Sequence, residues 1–220
     1  MEWILIGGIG LGLTSIIAAV FIRSQRQTEA AHVAREELAA QKGWTHARTA
    51  AGKGGRWTLT GSVPGGPEWT MFARKYRSGD NTTEETRWTM AVPPPDGVVA
   101  VGPPLPDIPF LNLGGAVVQM LLKVFFGEDA KELVGIEKME IGPPNFRGHY
   151  AVASNNRSLA ESFLSGPAEM ALLEWASAAR GAPIVLYWRR GLEIRITRVV
   201  EDPEDLTAIV DLGLLLHTTV

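Results

Sequence analysis

Hydrophobic residues fill one uninterrupted stretch near the start of the chain, residues 3–22, which contains no charged side chain. A helix rises about 1.5 Å per residue, so this stretch would span about 30 Å, the thickness of the hydrocarbon core of a bilayer. A helix on the surface of a water-soluble protein is apolar on one side only. The pattern therefore predicts an N-terminal transmembrane helix, within an anchor of residues 1–26 that precedes one globular domain of residues 27–220.

The charged residues around the apolar stretch give it a direction. Arg23 and Arg26 follow it, and no basic residue precedes it. A cleaved signal peptide carries its basic residues before a short apolar core, so the pattern favours a retained anchor. Positive charge is enriched on the cytoplasmic side of membranes. We therefore expect a single-pass protein of the cell inner membrane, with its N-terminus outside, Trp3 at the outer interface and the globular domain in the cytoplasm.

Two glycines four residues apart, Gly8 and Gly12, lie within the apolar stretch. Small residues at this spacing let a second membrane helix approach closely. Glycine is also frequent in membrane helices in general. One interpretation is that this face packs against integral membrane proteins, and the other is that the two glycines have no packing role.

Alternating polar and apolar residues dominate residues 44–92, where glycine-rich turns separate short runs. The dipeptide Trp-Thr opens four of these runs, at Trp44, Trp57, Trp69 and Trp88. Side chains alternate between the two faces of a strand, so the tryptophans could line one side of a sheet. They would then either pack on a helix or form an exposed aromatic surface for a partner or for membrane lipid.

Two further segments have a strong compositional bias. Residues 91–115 hold seven of the 14 prolines around a short predicted strand at residues 98–101. Such a composition is typical of a semi-rigid arm that docks a partner, or of a plain connector. Residues 113–126 are apolar except for Gln119 and Lys123, and they predict either a core helix or a helix that lies on the bilayer surface.

The rest of the pattern alternates helices with pairs of short strands. Short turns between strands are typical of antiparallel sheets, so we expect an α+β domain with a mainly antiparallel sheet and packed helices. The expected elements are a helix over residues 27–42 that ends at Gly43, a hairpin of residues 134–141 and 146–153, helices over residues 154–166 and from Pro167, a hairpin of residues 184–188 and 192–197, and a last helix capped by Asp202.

Composition excludes several kinds of chemistry. The chain has no cysteine, which removes thiolate catalysis, cysteine-bound zinc and iron–sulfur clusters. Its formal net charge of -3 gives no electrostatic attraction for nucleic acid. No nucleotide-binding or hydrolase motif occurs, and no metal motif links the four scattered histidines, His32, His46, His149 and His217. We therefore expect no cofactor, no metal, no nucleic-acid partner and no enzymatic activity.

Arginines gather on the last predicted hairpin, at Arg189, Arg190, Arg195 and Arg198. They could bind anionic lipid headgroups or an acidic partner. The alternative is that they form a solvated face of the sheet. The alternation of Ile194 and Ile196 with polar residues supports this alternative, because it predicts a strand with one exposed face.

Two resemblances add expectations about the role. The stretches EELAAQKGW and RWTLTGSVPGGP, on either side of a basic turn, are similar to uncharacterised bacterial proteins with one N-terminal span and a cytoplasmic α+β domain. No function comes with that resemblance. In plan, without a shared motif, the chain also resembles the H subunit of photosynthetic reaction centres, which has an outside N-terminus, one span and a β-rich cytoplasmic domain. This likeness implies a scaffold role in a membrane complex, of a bioenergetic or photosynthetic kind.

Three functions are therefore weighed. The first is a non-catalytic scaffold subunit of a membrane protein complex, which contacts membrane lipid and integral membrane proteins through the apolar helix and the proline-rich segment. The second is a membrane-tethered sensor or ligand-binding domain whose pocket is lined by tryptophans. The third is an enzyme whose site brings together His46, His149 and the arginine hairpin. The lack of catalytic motifs favours the first.

Overall fold

The computed structural model describes residues 23, 26, 28–48, 55–78, 81–104, 133, 135–178 and 180–220, and it confirms an α+β fold with a mostly antiparallel sheet. The strands are β1 (Thr45–Arg48), β2 (Gly55–Ser62), β3 (Glu68–Ser78), β4 (Asn81–Met90), β5 (Val99–Gly102), β6 (Glu137–Met139), β7 (Ala151–Ser154), β8 (Ile184–Trp188) and β9 (Gly191–Ile196). They form one sheet in the order β1-β2-β3-β4-β9-β8-β5-β7-β6. Every pairing in the described part is antiparallel.

Five helices accompany the sheet in the described residues, namely α1 (residues 28–42), α2 (Pro144–His149), α3 (Arg157–Phe163), α4 (Pro167–Ser177) and α5 (Pro203–His217). None of these described helices has the length and hydropathy that a membrane span requires. The predicted transmembrane helix of residues 3–22, with its two glycines and Trp3, lies outside the described residues and stays a prediction. The same holds for the predicted helix of residues 113–126 and for residues 105–115 of the proline-rich segment, whose short strand is β5.

Strands β1 to β4 form the predicted meander, and the register places the tryptophans on one face. Trp88 of β4 lies opposite Met71 of β3. Trp57, Trp69 and Trp88 are at most 1% exposed, because side chains of α1 and α5 belong to the same core cluster. The interpretation of these three as an exposed surface for a partner or for lipid is therefore wrong. Trp44 is half-buried, and its ring stands perpendicular to that of Trp69 with centroids 5.1 Å apart.

Helix α5 lies directly on the sheet at Trp88. A Cβ atom at Gly213 would be 2.6 Å from the indole ring of Trp88, so only glycine allows the helix and the ring to approach this closely. The helix begins as predicted at Asp202, whose carboxylate accepts hydrogen bonds from the N–H groups of Glu204 and Asp205 at 2.8 and 3.2 Å. These local features fix where the helix starts and how deeply it packs.

Helix α1 ends as predicted at Gly43, which has a φ of 70°. The N–H of Trp44 donates to the carbonyl of Ala39 at 2.8 Å, and the N–H of Gly43 donates to the carbonyl of Ala40 at 3.4 Å. These two bonds form a Schellman motif, which satisfies the last helical carbonyls and reverses the chain. The reversal leads directly into β1, so α1 lies over the edge of the sheet.

The predicted pairing of two strands within residues 134–153 is confirmed. The predicted extent of the second strand, residues 146–153, is wrong in part. β6 and β7 pair in antiparallel fashion, but the residues before β7 form α2. Pro144 occupies the first helical position, where its missing N–H breaks no hydrogen bond. Phe146 is fully buried, and its ring stacks on that of Tyr150 with centroids 5.2 Å apart. Phe146 therefore anchors this short helix to the core.

The hairpin of β8 and β9 is confirmed, but the prediction of an exposed face on β9 is wrong. All six residues of β9 are buried, including Glu193 and Arg195. The strand lies in the middle of the sheet, between β4 and β8, so both of its faces are covered. Arg195 is therefore part of the interior and not of a solvated arginine surface.

Candidate functional site

Helices α4 and α5 pack against each other and leave an open groove between them, which we call the interhelix groove. Its volume is about 420 Å³. Each helix contributes one alanine to the groove, and these small side chains leave the space between the helices open. The floor is apolar and is formed by Ala171, Trp175, Ala208, Leu212 and Leu215.

Trp175 is held in place at one end of this groove. Its indole N–H donates to the carbonyl of Gly181 at 2.7 Å, and the guanidinium of Arg180 lies over its ring at 5.7 Å from the centroid. Because the indole N–H is hydrogen-bonded, burial of the ring leaves no polar group unsatisfied. The floor is therefore rigid and apolar at the position of Trp175.

The rim of the interhelix groove is acidic. Glu174, Glu204 and Asp211 line it and are exposed. Arg180 also lines it, but its guanidinium is 3.0 Å from the carboxylate of Asp205. Three acidic side chains face one arginine whose charge is already compensated, so the potential at the rim is negative.

Asp205 joins the groove to the loop that follows β9. Its carboxylate also pairs with Arg198, at 2.8 Å. Partial burial acts to raise the pKa of Asp205, but the hydrogen bonds from Arg198 and Arg180 outweigh it and lower the pKa below its usual value. The carboxylate is therefore ionised at neutral pH and fixes both arginines.

A second cluster lies between α1 and the sheet edge and consists of His32, Arg35, His46 and Arg48; we call it the histidine–arginine cluster. Arg35 is 1% exposed, and its guanidinium lies over the ring of Trp57 at 5.3 Å from the centroid. Its Nη2 donates to Nδ1 of His32 at 3.1 Å. The rings of His32 and His46 have centroids 6.1 Å apart. Two imidazoles thus share a half-buried site with a buried cation.

Burial lowers the pKa of both histidines in this cluster. For His32 the charges of Arg35 and Arg48 act in the same direction, against weaker opposite effects of Glu29 and Glu201. For His46 the charge of Arg35 adds to the effect of burial. Both imidazoles are therefore neutral at neutral pH. In the part of the chain that the structure describes, no group of three or more metal-ligating side chains occurs here or elsewhere.

A network of buried charges crosses the sheet on the face opposite the main core. Arg87 of β4 pairs with Glu85 at 3.0 Å and with Glu193 of β9 at 3.2 Å. Arg195 pairs with Glu193, and Arg74 of β3 with Glu85. Each carboxylate has two arginine partners, so the network ties three strands together.

A smaller hollow of about 380 Å³ lies beside α2, between the helix and β6. Lys138, Glu140 and Arg147 line it, and Arg147 pairs with Glu140 at 3.3 Å. Tyr150 is at its base, where burial raises the pKa of the phenol and its hydroxyl donates to the carbonyl of Leu172 at 2.8 Å. Mixed charges and an already bonded hydroxyl give this hollow no clear preference for a ligand.

The remaining residues that the sequence singled out do not form one site. Arg189 and Arg190 are exposed in the turn between β8 and β9, and the guanidinium of Arg190 lies 4.7 Å from the ring centroid of Trp188. Arg23 and Arg26 are exposed. Their predicted contacts with lipid or a partner stay predictions.

The histidines that an enzyme site would need are far apart. His46 lies on β1 at one edge of the sheet, and His149 ends α2, two residues before β7 near the other edge. Seven strand spacings separate these positions, more than about 30 Å along a sheet. A site that combines His46 with His149 is therefore not formed.

Sequence reasoning missed the interhelix groove and the histidine–arginine cluster. Met170 of α4 is 65% exposed. Leu215 of α5 is 37% exposed. Large apolar residues that point out of two neighbouring helices were the available signal, but the packing of α4 on α5 is needed to interpret it.

Comparison with protein-family models, with curated proteins and with solved structures found no match.

Proposed function

We propose that this protein is a non-catalytic scaffold subunit of a membrane protein complex, tethered by residues 3–22 and holding a partner against its α+β domain. The observation that supports this proposal best is the interhelix groove, an open apolar surface with a charged rim. The hydroxyl of Thr207, which lines it, donates to the carbonyl of Pro203 at 2.8 Å and so is engaged within its own helix. A surface of this kind suits binding better than a reaction.

The charges of the described residues point the same way. The buried arginines and carboxylates on β4 and β9 neutralise one another, and the two half-buried histidines lie beside cations. A general base works best with a pKa near the working pH, and burial together with the charge of Arg35 lowers the pKa of both histidines. The paired interior charges stabilise the sheet, and partner binding is left to residues on the surface.

The tether is tested with the full chain carrying Leu11→Arg and Ile16→Arg. Each arginine at the centre of a membrane helix costs about 2.5–3.5 kcal/mol, so the variant should leave the membrane fraction. Ala40→Arg, on an exposed position of α1, is the matched control and should stay in the membrane. A double variant that remains membrane-bound after carbonate washing would contradict the tether.

The scaffold role is tested by extracting the full chain from its native membranes in mild detergent. We expect a complex of constant stoichiometry on native gels and in light scattering. A monomer with no co-migrating subunit would contradict the proposal. The nature of the complex, bioenergetic or photosynthetic, stays a prediction that the identity of the co-migrating subunit would decide.

A membrane-tethered sensor or ligand-binding domain is the second candidate. The volume of the interhelix groove falls within the range of about 300–1,000 Å³ that is usual for small-molecule sites, and Trp175 lines it. Thermal shift of the full chain against a metabolite panel would favour this candidate if a compound protects wild type but not a variant with Ala208→Leu. The open, elongated shape between two helices favours a protein partner.

A further inference from the structure

We infer that the interhelix groove is the docking site for a basic amphipathic helix of a partner protein. The inference rests on the proposed scaffold function and names the chemistry of its partner. Two packed helices with a furrow between them form a surface into which a third helix can lay its apolar side chains.

The apolar part of the surface extends beyond the groove floor. Among the described residues, four large hydrophobic side chains are exposed, and two of them, Met170 and Leu215, belong to α4 and α5. Leu215 belongs to the groove floor, and Met170 lies one helical turn before Glu174 of the rim. Met170 therefore adds exposed apolar surface on the rim side of α4, which suits the long apolar face of a helix better than a compact ligand.

The charge of the rim specifies the sign of the partner. Glu204 and Asp211 are seven residues apart and therefore lie on the same side of α5, while Glu174 lies on α4 across the groove. Acidic residues thus border the apolar floor from both helices. A partner helix with Lys or Arg on both sides of its apolar face would be attracted, whereas an acidic helix or an anionic lipid surface would be repelled.

The groove is also prepared for binding before a partner arrives. Asp205 holds Arg180 and Arg198 at one end, and the hydrogen bond from Trp175 to Gly181 fixes the largest floor side chain. A surface that is already ordered loses little conformational freedom when it binds. The geometry therefore fits a rigid platform.

The probe is a fluorescein-labelled amphipathic peptide with leucines on one face and lysines on both sides of them. A second peptide carries glutamates in place of the lysines. The protein is the full chain in nanodiscs of uncharged lipid, and empty nanodiscs serve as the blank. We expect anisotropy to show saturable binding of the lysine peptide that weakens with added salt, and no binding of the glutamate peptide.

Two sets of variants locate the site. Glu174→Lys with Asp211→Lys should weaken binding of the lysine peptide about tenfold or more, because two attractions become repulsions. Its matched control is Glu37→Lys with Glu137→Lys, two exposed glutamates elsewhere, which should change affinity less than about twofold. Leu215→Gln should weaken binding about fivefold, whereas Val33→Gln, at a similarly exposed residue of α1, should leave it unchanged.

Several results would overturn the inference. One is equal binding of the lysine and glutamate peptides, and another is affinity that the groove variants leave unchanged. Self-association of the chain that disappears in the groove variants would make a second copy the occupant and so contradict a basic partner helix. Circular dichroism checks that each variant folds. If the variant with Glu174→Lys and Asp211→Lys does not fold, the affinity of Leu215→Gln and the salt dependence of binding to wild type test the inference instead. A stable native complex together with failed peptide binding would refute this inference and leave the scaffold function standing.

Discussion

Two helices contact the same tryptophan-rich face of the sheet, and they do so in opposite ways. α5 meets Trp88 through Gly213, and its contact is close and apolar. α1 meets Trp57 through the guanidinium of Arg35, with two histidines beside it. The first contact depends on shape alone. The second depends also on charge, so the solution pH can change it.

The two contacts also lie at different places on the sheet, the first at β4 and β9 in its middle and the second at its β1 edge. α5 carries one wall of the interhelix groove, so the proposed docking site depends on the apolar contact of this helix with the sheet. α1 carries no residue of the groove, so protonation of His32 and His46 should weaken the α1 contact and leave the groove unchanged. Variants at the two contacts test this division, and the effects expected at α5 are the larger ones.

The largest effect is expected for Gly213→Leu. The new side chain must enter space that the indole of Trp88 already fills, and overpacking of this kind costs up to about 3 kcal/mol of unfolding free energy. The matched control is Gly148→Leu in α2, where a Cβ atom has nothing within 4 Å; it should be neutral or slightly stabilising, since glycine is a poor helix residue. Urea unfolding followed by circular dichroism measures both. Equal stabilities would contradict the close contact of α5 with the sheet.

A smaller effect is expected for Arg35→Met, which keeps the apolar stem and removes the cation. Loss of the guanidinium over Trp57 should cost about 1 kcal/mol. It should also raise the pKa of His32 and of His46, because the charge of Arg35 holds both down. Histidine titration by NMR measures the pKa values, and His149 in the same spectra is the internal control. Unchanged values for the two cluster histidines would place Arg35 away from them.

Lowering the pH should weaken the α1 contact by a smaller amount, because both imidazoles are partly solvated. The pKa of His32 and of His46 is lower in the folded protein than the usual 6.5. As the pH falls, the histidines of the unfolded chain are therefore protonated before those of the folded protein. The free energy of unfolding then decreases between pH 6.5 and the lower pKa values of the folded protein. Arg35, Arg48, Glu29, Glu36 and Glu201 are the charged groups that act on the two rings.

Urea unfolding between pH 7.5 and 5 measures this loss, and the double variant His32→Gln with His46→Gln is its control. The variant should lose most of the pH dependence in that window. Glu29 does not interfere, since its hydrogen bond to Arg48 lowers its pKa below 4.5. A slope that the double variant retains in full would assign the effect to other groups.

Local signals in the sequence predicted much of this fold. Gly43 ended a helix, Asp202 began one, and the turns between β1 and β4 separated alternating runs. Each of these features depends on residues that are close in sequence. The Schellman bonds of Gly43 and Trp44, for example, need only the preceding helical turn.

The features that could not be predicted depend on which distant strands and helices become neighbours. The alternating pattern of β9 predicted one exposed face. The strand is buried because it pairs with β4, which lies about a hundred residues earlier in the sequence. His32 and His46 meet because the chain reverses at Gly43 and α1 folds back over β1. Glu174 and Asp211 belong to different helices, and only the packing of α4 on α5 makes them the rim of one groove.

The smallest effect is expected at the outer margin of the α1 contact, for Glu29→Gln. The carboxylate of Glu29 is 2.9 Å from the guanidinium of Arg48, but both side chains are at least half exposed, so solvent screens the pair. Unfolding in urea at neutral pH should show no measurable change, in low and in high salt alike. A loss as large as that of Arg35→Met would mean that α1 is held by its exposed ion pair. α1 would then be held by a surface ion pair and α5 by a buried apolar contact, and the two histidines would not contribute to holding α1.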